Sequence, residues 1–148
     1  MKPRYSAADI ANYFLFKAQQ ENQELLSNLK LQKLLYYAQG LYLVVNRKPL
    51  FKERIEAWTY GPVIPDVYHT YKKYDASGIP ADKKFKLKSI DEETRDFLDE
   101  IIEAFGQFSA IRLMEISHTD QCVTDARINS EITQEAMRKH LRKYIKDE

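Results

Sequence analysis

The chain has 148 residues, 44% apolar and 30% charged, with 23 Lys and Arg against 22 Asp and Glu for a formal net charge of +1. That composition excludes the low-hydrophobicity, high-charge regime of disorder, and the near-neutral total excludes a uniform positive field drawing the protein to nucleic acid. Its length is that of one ordinary domain, so residues 1–148 are expected to share one core.

The charge is uneven along the chain. Residues 1–90 carry 15 Lys and Arg against 8 Asp and Glu, and residues 91–148 carry 8 against 14. Such halves attract each other or face different partners, although solvated helix faces are the plainer expectation. No run of about 18 apolar residues occurs and no apolar stretch follows the basic start Met1-Lys2-Pro3-Arg4, so no membrane span and a cytoplasmic location are expected. A lone Cys122 allows no internal disulfide, and three scattered histidines beside it make no zinc framework.

In chain order, Ser6 and Asp9 predict a capping box, with Ile10, Tyr13, Phe14 and Lys17 on one face of a helix over 7–20. The polar stretch 19–24 loosens that pattern before Ser27 or Asn28 offers a second cap. Leu31, Leu34, Leu35, Ala38, Leu41, Tyr42 and Val45 then recur at helical spacing, and the positions between them are also largely apolar. A helix apolar on nearly every side belongs at the centre of a bundle. Asn46-Arg47-Lys48-Pro49 ends it.

Over 51–60 the period is ambiguous, with a short strand favoured at Ile55–Tyr60. Gly61-Pro62 reads as a turn, and Val63, Val67, Tyr68 and Tyr71 as a helix reaching about Tyr74. Residues 75–90 are the least regular, with an edge strand or extended arm expected at 84–88. Asp91-Glu92-Glu93 opens a helix whose core face is Phe97, Leu98, Ile101, Ile102 and Phe105, stopped by Gly106. Ser109 caps a short helix through Ile116, and Thr133 a last one through about Lys146. The fold class expected is mainly α: a helical bundle around a central apolar helix (29–45), with a small β element near 51–60 and 84–88.

The stretch Asn28 to Gln39, with Pro49-Leu50-Phe51, Ile55-Glu56-Ala57-Trp58-Thr59-Tyr60-Gly61-Pro62-Val63 and Pro65-Asp66-Val67-Tyr68, resembles the Panacea domain family. These are the SocA-like and GepA-like antitoxins of bacteria and their phages. Ser117-His118-Thr119-Asp120 through Ala126-Arg127 resembles the family's second block, except that Gln121-Cys122-Val123-Thr124 stands where the family usually has a proline and a tryptophan. The resemblance implies a mainly helical antitoxin that binds a protein toxin encoded by a neighbouring gene. In one branch it implies an adaptor delivering the toxin to a protease. It marks Leu29, Gln32, Lys33, Leu34, Tyr37, Ala38, Glu56, Trp58, Tyr60, Gly61, Pro62, Val63, His118 and Arg127 as motif positions, structural or partner-binding.

Each of these also has a plain structural role. Trp58 is expected as a core plug costing roughly 3 to 5 kcal/mol to remove if buried, Gly61 as a special backbone position, and Pro62 as the start of the next helix. Gln32, Lys33 and Gln39 either form an internal hydrogen-bond network or reach a surface groove. His118 and Cys122 are expected as packed side chains, and Arg127 as a partner of Glu56 or another acid. Ten tyrosines exceed what a small core needs. Tyr60, Tyr68, Tyr71 and Lys72 form the candidate toxin-binding surface, against the alternative of an amphipathic helix with tyrosines at the core edge.

Two rivals to an antitoxin are weaker. A DNA-binding regulator would use Lys83, Lys84, Lys86 and Lys88 or the basic last helix, yet no helix-turn-helix signature accompanies them, so nucleic acid is disfavoured. An enzyme would need a convergent nucleophile, acid and base; no catalytic, metal-binding or cofactor-binding residues are assigned.

Overall fold

The central element of the computed structural model, which describes residues 2–21 and 24–145, is the helix predicted to be apolar all round. Helix α2 (Asn28–Asn46) buries every residue from Leu31 to Leu41. Its flanks are covered by α1 (Ala7–Gln20), α3 (Pro65–Tyr71), α4 (Glu92–Phe105), α5 (Ala110–Ser117) and α7 (Gln134–His140). Three 3-10 turns, at Lys72–Tyr74, Leu87–Ser89 and Leu141–Tyr144, and the short α6 (Gln121–Thr124) complete the helical part. The protein is mainly α, with one apolar cluster running from Tyr5 to Leu141. No helix of the described residues is long and apolar enough to cross a membrane.

Helix starts follow their caps. Ser6 and Asp9 form the predicted reciprocal capping box, and Ser27, Asp91, Ser109 and Thr133 each accept from a backbone N–H of the first turn. Helix α2 ends where Arg47 enters the left-handed region (φ 59°) and its N–H bonds to Leu43 O.

A three-stranded antiparallel sheet, ordered β2-β1-β3, lies against α2 and α5. β1 (Ile55–Trp58) pairs with β2 (Gly61–Val63) through Trp58↔Gly61, and with β3 (Glu131–Ile132) through Ile55↔Ile132. The expected strand at 55–60 is therefore present, but the turn sits on Thr59-Tyr60 rather than Gly61-Pro62. Pairing of Val63 with Glu56 draws it into the sheet, so the next helix begins at Pro65 and Pro62 does not start it.

The strand expected at 84–88 is absent. Phe85 is drawn onto the Phe16 ring of α1 (centroids 5.3 Å apart), and the chain there closes Ser89 N on Lys86 O at 2.9 Å in a 3-10 turn. The last helix stops at His140 and continues as a 3-10 turn to Tyr144. Asn22, Gln23 and Lys146, which belong to predicted segments, lie outside the described residues. The charge asymmetry appears as two ion pairs between the halves, Arg4–Asp91 at 3.2 Å and Lys17–Asp99 at 3.8 Å. Both are substantially solvated and each contributes no more than about 1 kcal/mol.

Candidate functional site

A helix buried on all sides must satisfy its own polar side chains, and α2 does so with a line of clamps onto its neighbours. Near its start, Gln32 accepts from Ile64 N through Oε1 (2.9 Å) and donates to Asn28 Oδ1 (2.9 Å), while Asn28 donates to Tyr68 O (3.1 Å). Two turns on, Gln39 accepts from Leu50 N (2.8 Å) and Phe51 N (3.2 Å) and donates to Phe51 O (2.7 Å), fixing the chain after Pro49. Of the two roles open to these glutamines, the internal network is the one observed.

Lys33 is fully buried and donates to Pro62 O at 3.1 Å, tying β2 to α2. Burial, with no carboxylate in reach to offset it, lowers its amine to about 7. Gly61 has φ +100°, and a Cβ there would lie 2.8 Å from Ser117 Oγ and 2.9 Å from Lys33 Cε. Its expected special backbone role therefore has a second component, close approach of β2 to α2 and α5. Gly61→Ala is expected to lower stability by about 2 kcal/mol, through the positive φ and the clash together. A urea melt at pH 7 checks this, and an unshifted midpoint would show that the hairpin relaxes freely.

Further along α2 is a second polar centre. Asp120, fully buried, accepts from Tyr36 (2.9 Å) and Tyr37 (2.9 Å) through Oδ2 and from Tyr144 (2.7 Å) through Oδ1. Lys143 Nζ lies 2.9 Å from Oδ1. Desolvation first, and then the Asp120 charge, hold the Tyr36 and Tyr37 hydroxyls well above the usual tyrosine range. Cys122 Sγ sits 3.2 Å from the Tyr36 hydroxyl, and burial pushes the thiol up to about 11, which keeps it protonated. Sequence reasoning placed Asp120 only within the segment resembling the family's second block and missed this centre. Two adjacent tyrosines on a buried helix, each needing a partner for its hydroxyl, are the signal that points to it.

The exposed Tyr60 and the part-buried Trp58 lie at the β1–β2 hairpin. Trp58 is only part-buried, a correction to its expected role as a core plug: strand alternation sends Ile55 and Ala57 inward and Trp58 outward. Its ring stacks edge-on against Tyr68 (5.0 Å) and near His69 (6.2 Å), and its Nε1 donates to Glu56 Oε1 at 2.9 Å. Tyr60, at the turn, is 65% exposed. Lys72 is exposed one turn beyond Tyr68, whereas Tyr71 is half-buried with its hydroxyl towards Asn12 of α1. The structure thus brings Trp58 and Tyr68 together, leaves Tyr60 exposed at the adjoining turn and turns Tyr71 inward.

Arg127 does not meet Glu56. It is exposed, and the Glu56 carboxylate is already taken by Arg54 Nε (3.1 Å) and by Trp58. His118, expected to be packed, is exposed at the end of α5, where its backbone N–H closes the helix on Met114 O. Leu34, Tyr37, Ala38 and Val63 are buried and Leu29 is part-buried, all in the core around α2. Among the described residues, no group of three His, Cys, Asp or Glu side chains is placed to hold a metal ion.

A family model for the antitoxin SocA-like Panacea domain matches residues 31–122, from the fourth residue of α2 to Cys122 beside the Asp120 centre. The chain belongs to the Panacea domain family. This Panacea domain is also similar to the antitoxin SocA of Caulobacter vibrioides (strain NA1000 / CB15N), 34% identical over an alignment of 122 positions that covers 76% of this chain and 64% of the relative. The match therefore spans just under two thirds of that relative's length. No solved structure matches. Within the matched segment lie Gln32, Lys33, Gln39, Gly61 and Asp120, whereas Lys143 and Tyr144, which complete the Asp120 centre, lie beyond it.

Proposed function

We propose that this Panacea domain is an antitoxin that neutralises a protein toxin encoded by a neighbouring gene by binding it directly, performing no chemistry of its own, as one cytoplasmic domain over residues 1–148. The likeness to antitoxin SocA carries this reading. The site's chemistry agrees with it: buried polar groups are used as clamps, and at the hairpin Tyr60 stands exposed beside the part-buried Trp58–Tyr68 pair. Trp58, Tyr60 and Tyr68, with Lys72 at the margin, form the toxin-binding surface. Aromatic anchors beside a cation suit a protein partner, because rigid rings bury area at little entropic cost.

The Lys33 and Gln32 clamps hold this surface in place, since they fix β2 and the start of α3 on α2. Tyr71, turned towards α1, supports α3 from behind.

Co-expression with the neighbouring gene product tests the function, and Tyr60→Ala with Lys72→Glu tests the surface. Both side chains are exposed, so the variant should melt as the wild type does yet restore growth less well, with affinity reduced at least about tenfold. Undiminished rescue would discard the surface. Failure of the wild type to rescue would discard the antitoxin reading itself.

A further inference from the structure

We propose that the groove between α2 and α4, away from the hairpin, docks an amphipathic helix of a partner protein that is apolar on one face and carries Lys or Arg along its flank. The inference does not depend on the partner being a toxin. The groove is a depression of about 490 Å³ whose floor includes Leu41, Val45, Ile101, Ala104, Phe105 and Phe108. Val45 is 55% exposed and Ile145, across the groove, 38% exposed, so apolar surface here is uncovered. Among the described residues, the lining holds one carboxylate, Glu100, and no Lys or Arg.

The charge along one wall selects the occupant. Helix α4 carries six carboxylates and one arginine, and Glu93, Asp96, Glu100 and Glu103 are exposed at spacings of three and four residues, which puts them in one stripe. Among the described residues none of these four pairs with a cation. Like charges at that spacing repel one another, and a cationic flank laid along them relieves the repulsion. The same stripe repels anionic membranes and nucleic acid, so an apolar face with basic edges is the complement.

Length agrees. The 14 residues of α4 span roughly 21 Å, four turns for a helix lying beside them. At Val45 and Phe97 the groove opens into a second depression of about 540 Å³ beneath the amino-terminal segment. Lys2, Arg4 and Lys48 line that end beside Asp91 and Glu93, with Arg4 paired to Asp91, so a docked helix sets its basic flank chiefly against Asp96, Glu100 and Glu103.

The test is fluorescence anisotropy of the full chain with a labelled peptide of about 18 residues, Leu on one helical face and Lys and Arg beside it, against the same peptide with Glu in place of the cations. The basic peptide should bind, and more weakly as salt rises from about 50 to about 300 mM. The acidic one should not. Glu100→Lys with Glu103→Lys should weaken binding about tenfold. Val45→Lys with Ala104→Lys, at exposed sites, should remove it. Asp125→Lys with Glu131→Lys, away from the groove, should leave it unchanged.

Equal loss in that distal variant would mean general charge attraction and would overturn the proposal, as would binding of both peptides alike or of neither. Light scattering covers the remaining occupant. A doubled mass that returns to one chain in the Val45→Lys, Ala104→Lys variant would assign the groove to a second copy of this chain and likewise overturn it.

Discussion

Asp120→Ala is expected to cost about 4 kcal/mol, the largest loss from a single side chain outside the apolar core. One carboxylate serves as acceptor for Tyr36, Tyr37 and Tyr144 and as counter-charge for Lys143, and it is fully buried. Removing it strands the Tyr36 and Tyr37 hydroxyls inside the protein, each with a desolvation cost of about 1 to 3 kcal/mol if no new acceptor is found. Lys143 loses less, being 44% exposed, and turns to water. Asp120→Asn keeps one carbonyl acceptor but points an amide donor at hydroxyls that also donate, so it should fall between wild type and Ala.

The same centre pins the carboxyl-terminal turn, because Lys143 and Tyr144 reach Asp120 from Leu141–Tyr144. In Asp120→Ala that turn should loosen, and Cys122, protected beside Tyr36, should react with a thiol reagent much sooner than in the wild type. Chemical denaturation and thiol labelling measure the two effects. If the midpoint moves by less than about 1 kcal/mol, the tyrosines repair the loss among themselves and the centre is not a keystone.

The sequence made some of this legible and hid the rest for a physical reason. Helix starts were readable because a cap is a local event: Ser6, Ser27, Asp91, Ser109 and Thr133 each act within three residues. The central place of α2 was readable because being apolar all round is also local. The two-residue β3 was not, since its strand identity comes from pairing with β1, 75 residues earlier in the chain, rather than from its own pattern.

The Asp120 centre spans 84 residues back to Tyr36 and 24 forward to Tyr144, so no local pattern encodes it. Phe85 and Leu87 alternate as a strand would, yet Phe85 packs on Phe16 and Leu87 opens a 3-10 turn. Residue type alone makes Trp58 a core plug, but strand phase decides its side: with Ile55 and Ala57 inward, position 58 must face out. That same phase puts the aromatic surface where a partner can reach it.

Lys33 leads to the second large effect, a stability that rises with pH where most proteins have little left to gain. Its amine is lowered from 10.5 to about 7 in the folded protein by burial, while the unfolded chain keeps the ordinary value. Below pH 7 both states bind the proton and the fold bears the full cost of a buried ammonium. Between about 7 and 10.5 the unfolded state binds more protons than the folded one, so raising the pH favours folding until the penalty is gone. At 1.36 kcal/mol per unit, the gain from pH 7 to pH 9 is about 2 kcal/mol.

Cys122 and the buried tyrosines act the other way. Their folded values are raised, so their contribution is present below the unfolded values and is lost as pH climbs past about 9 and 10. Comparing wild type with Lys33→Met at each pH cancels that background. Methionine fills nearly the same space without the charge but leaves Pro62 O without its donor, at about 1 to 3 kcal/mol. The variant should therefore equal or exceed the wild type at pH 7 and lose about 2 kcal/mol relative to it by pH 9. Parallel curves for the two proteins would mean that water or a relaxed hairpin reaches the Lys33 amine, and the clamp holding β2, with its aromatic surface, would then be looser than the buried 3.1 Å contact implies.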